Sequence, residues 1–199
     1  MFESEKTTHL LYLHGFRSSP QSAKARAMAA YCRQHHPNLE WYCPQLPPSP
    51  QRAMQEVAQA VAQWPKEQMA VVGSSLGGFY ATWVAQQFER CRVVLLNPAV
   101  DPARDLRQYI GSQKQFHDPS ESFYFQPQYI DELRALESGP LKNPQRFLSV
   151  IAKGDEVLDW REMHARYQSG NCILLEGGDH ALSDFEVHLG AIVGHLRVI

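Results

Sequence analysis

Short apolar runs alternate with longer stretches of mixed polarity along the chain. The runs at 9–15 (HLLYLHG), 39–43, 69–72, 91–97 (CRVVLLN), 147–152 and 172–175 are too short for buried helices and read as strands. Gly15, Pro44 and Pro98 close three of them. Between them, residues 22–36, 51–63, 77–88, 160–167 and 185–196 carry helix-forming composition. Six buried strands with crossover helices predict an α/β fold, a mainly parallel six-stranded sheet covered by helices on both faces. Order weakens over residues 98–143, which hold five of the 13 prolines and only short helical patches at 101–109 and 129–137. So long an irregular stretch predicts a lid-like, substrate-facing excursion from a single domain spanning 1–199.

Composition narrows the classes. A formal net charge of −2 with 20% charged residues gives no electrostatic case for nucleic acid or an anionic membrane. No apolar stretch approaches the roughly 18 residues of a membrane span, and MFESEKTTHL lacks the apolar core of a secretory signal. Cys32, Cys43, Cys91 and Cys172 lie far apart with no Cys-x-x-Cys pair, which fits reduced thiols in a cytoplasmic protein. His, Cys, Asp and Glu show no metal-ligand spacing and no Gly-rich phosphate loop follows a strand, so no metal or cofactor is expected.

The candidate chemistry begins at Gly73-Ser74-Ser75-Leu76-Gly77, between an apolar run and a helical segment. This is the nucleophile-elbow pattern, in which glycines leave room for a sharp turn that pushes a serine hydroxyl outward. Only Ser75 fits the spacing, because Val72 and Leu76 flank the frame centred on Ser74. A serine hydroxyl needs a base to take its proton and an acid to orient the base. These belong on turns after later strands, where Asp155 follows 147–152 and His180 follows 172–175. Asp101 and Asp159 are rivals for the acid, Asp159 reading better as a helix cap, and Glu156 reads as solvated. A developing oxyanion needs two backbone N–H groups. Leu76 supplies one, and the loop His14-Gly15-Phe16-Arg17 the other, with Phe16 preferred and Arg17 the alternative. His14 reads as a brace for that loop rather than as the base. Ser18, Ser19 and Ser22 read as loop and cap residues. Phe123, Tyr124, Phe125 and Tyr129 either line an acyl pocket or pack the excursion onto the sheet, with packing favoured.

The segments LLYLHGFRSSPQSAKA, PQLPP, VVGSSLGGFYATW, VLLNPAV, GDEVLD and LEGGDHAL together resemble the YqiA-type small bacterial esterases of the α/β-hydrolase superfamily. The resemblance runs through nearly the whole chain and is weakest from about 101 to 141. It implies a trimmed α/β-hydrolase fold, hydrolysis of short-chain acyl esters or thioesters, and Ser75, Asp155 and His180 as the triad.

Overall fold

A computed structural model describes residues 6–198 and turns each predicted run into a strand. The elements are β1 (His9–Leu13), α1 (Ala23–His35), β2 (Glu40–Tyr42), α2 (Pro50–Ala60), β3 (Met69–Ser74), α3 (Leu76–Gln87), β4 (Arg92–Leu96), α4 (Pro102–Asp105), β5 (Gly111–Lys114), β6 (Ser122–Phe125), α5 (Gln128–Ala135), β7 (Phe147–Ala152), α6 (Trp160–Tyr167), β8 (Asn171–Leu175) and α7 (Phe185–Leu196). Six strands form one sheet in the order β2-β1-β3-β4-β7-β8, with every neighbouring pair parallel.

Alternation along the strands divides the core into two layers. Successive strand side chains point to opposite faces. Leu11, Leu13, Val71, Val93 and Leu95 therefore face α2, α3 and α5. Leu10, Tyr12, Val72, Val94 and Leu96 face α1 and α7, where Met28, Ile192 and Leu196 meet them. Each such fully buried aliphatic side chain contributes about 2 kcal/mol. Helix starts follow local chemistry: the Ser49 hydroxyl accepts from Arg52 N with Pro50 in the first turn, and the Asp159 carboxylate accepts from Arg161 N. Ser22 stands at the N-cap of α1 but makes no side-chain cap bond.

The chain runs from β1 outward to β2, then returns to place β3 on the other side of β1. In open α/β sheets a ligand crevice forms where the strand order reverses, outside the carboxyl ends of the strands. Here that point lies between the loop after β1 and the turn after β3.

The excursion is more ordered than its composition predicts. Beyond α4 and α5 it contains an antiparallel hairpin, β5–β6, with Gly111 opposite Phe125 and Lys114 opposite Ser122. The hairpin escapes sequence reading because its strands are four residues long and joined by seven residues without a tight-turn signature. Among the described residues no helix is long and apolar enough to cross a membrane.

Candidate active site

Ser75 joins β3 to α3 at φ +54°, ψ −121°. A non-glycine residue with positive φ costs roughly 1–2 kcal/mol, so the surroundings must hold it there. Ser75 N donates to Leu96 O at 3.0 Å, and Ala99 N donates to Ser75 O at 3.0 Å. The glycines on either side are obligatory. A Cβ at Gly73 would stand 2.1 Å from Gly77 O, and one at Gly77 would stand 1.9 Å from Leu13 O.

The three residues singled out in the sequence meet here. His180 Nε2 lies 3.1 Å from Ser75 Oγ, and Nδ1 lies 2.8 Å from Asp155 Oδ2. A carboxylate oxygen accepts, so the ring proton sits on Nδ1 and Nε2 turns its lone pair towards the hydroxyl. The Asp155 side chain is wholly shielded from solvent. Its Oδ1 accepts from Val157 N and Leu158 N, each at 2.8 Å, so the carboxylate cannot rotate without losing two bonds. The rival carboxylates are engaged elsewhere. Asp101 caps α4 through Arg104 N at 3.0 Å, and Asp159 caps α6 through Arg161 N at 2.9 Å. Glu156 is exposed, as expected, but it is not merely solvated: its Oε2 accepts from His180 N at 3.0 Å.

His14 is buried and spends both ring nitrogens on backbone. Leu46 N donates to Nε2 at 3.1 Å, which leaves the proton on Nδ1 to donate to Gly15 O at 2.9 Å. Burial pulls its pKa down to about 4, so the ring is neutral at neutral pH. The turn that follows is closed by Ser18 N donating to Gly15 O, with Phe16 and Arg17 at its tip and Arg17 at φ +57°. Leu76 N is the first N–H of α3, and such groups have no intrahelical acceptor. Among the described residues no protein acceptor meets Phe16 N or Leu76 N. The hairpin grips the turn: Arg17 Nε donates to Lys114 O at 2.6 Å, Phe116 N donates to Arg17 O at 2.8 Å, and the guanidinium lies 4.3 Å from the Phe116 ring centre.

Ser75, His180, Phe16 and Leu76 open onto a cleft enclosing about 830 Å³ of empty space, part of it open to solvent. Ala99, Leu106, Tyr109, Phe116, Val157 and Leu158 supply its apolar wall. The aromatic cluster took the packing role: Phe125 and Tyr129 are buried in the core, Phe123 packs on Phe16, and Tyr124 is exposed. Of the six positive-φ non-glycine residues described, Arg17 and Ser75 line this cleft, and Asn97 and Leu182 each stand two residues from a lining residue, Ala99 and His180. Strained backbone gathers at functional sites. Among the described residues no group of three or more His, Cys, Asp or Glu could hold a metal ion.

Residues 9–197 match the profile of an uncharacterised protein family, UPF0227. The chain belongs to this family. The family resemblance read from the motifs is thereby borne out, and solved structures extend it to the fold. A protein from Agrobacterium vitis S4 with a provisional hydrolase assignment is 18% identical with a TM-score of 0.76, over 98% of this chain and 89% of that one. Mouse alpha/beta hydrolase domain-containing protein 10 is 15% identical with a TM-score of 0.69, over 96% and 90%. One of the two metagenome-derived lipolytic enzymes LipS and LipT is 17% identical with a TM-score of 0.70, over 98% and 95%. This UPF0227 member has the α/β-hydrolase fold.

Proposed function

We propose that this chain is a serine hydrolase that cleaves acyl esters or thioesters through a covalent acyl-enzyme. The observation that carries the reading is the continuous relay Asp155–His180–Ser75, with bonds of 2.8 and 3.1 Å ending on a strained, partly exposed serine. In the proposed mechanism His180 Nε2 takes the Ser75 proton as Oγ attacks the substrate carbonyl carbon. The imidazolium so formed is stabilised by the buried Asp155 carboxylate. Charge developing on the carbonyl oxygen is met by the N–H groups of Phe16 and Leu76, each worth roughly 10²- to 10³-fold in rate. His180 then gives its proton to the leaving alcohol or thiol. Water then attacks the acyl carbon while giving a proton to His180, the bond from that carbon to Ser75 Oγ breaks to release the acid, and His180 returns the proton to Oγ.

The cleft wall favours a neutral, apolar acyl or alcohol portion. Asp105, the acid in the lining, is paired with Arg104 at 2.8 Å, and Arg17 is committed to the hairpin. The test is turnover of p-nitrophenyl esters of increasing chain length by wild type and Ser75→Ala. Ser75-dependent hydrolysis is expected, with a loss of roughly 10⁴-fold or more in kcat for the variant. A folded Ser75→Ala protein keeping more than about a tenth of the activity overturns the assignment.

A further inference from the structure

The structure assigns Asn97 as a positioning residue that holds the acid turn and the base turn in register with Ser75. This inference rests on the catalytic reading above and names a residue that reading does not require.

Asn97 follows the last residue of β4, is 1% exposed, and stands at φ +42°. Its backbone N–H donates to Val150 O at 3.0 Å, the last main-chain bond of β4 to β7. The chain then turns away into Pro98, and the side chain takes the next place in the ladder. Oδ1 accepts from Ala152 N at 2.8 Å, as a strand carbonyl would. Ala152 in turn accepts from Asp155 N at 3.2 Å, so the amide anchors the base of the acid turn. On its other side Nδ2 donates to Asp179 O at 3.0 Å and His180 O at 3.3 Å. Nδ2 thus faces two carbonyls of the turn that carries the base. A flipped amide would set Oδ1 against those two oxygens, so the orientation is forced. The stretch 96–99 also holds Ser75, through Leu96 O and Ala99 N. One short segment therefore bonds the backbone at the nucleophile, the acid turn and the base turn.

Ala, Ser or Leu at 97 could fill space, but none offers an acceptor on one side and two donors on the other. Asn also tolerates the left-handed conformation better than most residues. The base turn has two further clamps: Lys24 Nζ donates to Ala181 O, and Glu156 accepts from His180 N at 3.0 Å. Both side chains lie at or near the surface, whereas Asn97 is buried and reaches both turns at once.

Two variants separate positioning from folding. Asn97→Gly removes the amide while leaving the positive φ unstrained. Asn97→Asp keeps shape and the acceptor for Ala152 N but loses both donors. Each is assayed on p-nitrophenyl esters well below its own melting midpoint, and the low-field His180 Nδ1–H proton resonance is recorded for each. The expected result is a folded protein with kcat lowered by roughly 10- to 100-fold, KM within about twofold, and that resonance shifted or broadened. A structural role alone would lower the melting midpoint and leave kcat and the resonance of the folded fraction as in wild type; that result overturns the inference. Wild type lacking Ser75-dependent turnover would be a failure of the catalytic reading instead. In that event the resonance decides: unchanged in both variants, it overturns the role of Asn97; shifted, it upholds Asn97 as the residue that places His180.

Discussion

Replacing His14 by Gln tests the account of the loop beside Ser75 through its stability against pH. The His14 ring is buried with its pKa lowered from 6.5 to about 4. At 1.36 kcal/mol per unit, that difference corresponds to about 3 kcal/mol. The folded state holds the neutral ring, so as pH falls the unfolded chain binds the proton first. The contribution is fully present above about pH 6.5 and is lost as pH falls towards 4. Glutamine can still accept from Leu46 N but does not titrate. It gives up the bond to Gly15 O, a loss of about 1 kcal/mol at any pH. Urea unfolding of both proteins at pH 7.5 and 4.5 separates the two effects. Wild type should lose about 2–3 kcal/mol more than His14→Gln over that interval. If both lose the same amount, the ring is not held neutral by burial and the reasoning fails.

Asp155→Asn should lower kcat by roughly 10³- to 10⁴-fold, because an amide favours the wrong imidazole tautomer. Asp101→Asn and Asp159→Asn, which alter only helix caps, should keep most activity in the same ester assay. Arg146 is buried and donates to the carbonyls of Lys142, Phe88, Cys91 and Ala85, tying the end of α3 to the start of β7. Arg146→Met should therefore cost about 3 kcal/mol or more and lower the melting midpoint by roughly 10 °C, read by calorimetry.

Much of this architecture was legible because burial on both faces leaves a plain trace. β3, β4 and β7 are almost wholly apolar runs of five or six residues, too short for buried helices. Ser75 was legible for a steric reason: Gly73 and Gly77 are required by backbone oxygens about 2 Å from where a Cβ would stand. Asp155 and His180 followed from their places just beyond strand ends. Glu156 and Asn97 were not legible. Their bonds go to backbone groups 24 and more than 50 residues away, and such contacts impose no local period or spacing. The β5–β6 hairpin was missed for a related reason, since GSQK carries no apolar alternation and gains its place by gripping Arg17.

The central claim is that Ser75 is an activated nucleophile, and covalent labelling tests it without knowledge of the natural substrate. Wild type, Ser75→Ala and His180→Ala are treated with a fluorophosphonate, and adducts are located by peptide mass spectrometry. The account predicts one phosphonyl group on Ser75 of wild type, none on Ser75→Ala, and labelling of His180→Ala slowed by orders of magnitude. Wild type that stays unlabelled, or that carries the adduct on another residue, would contradict it.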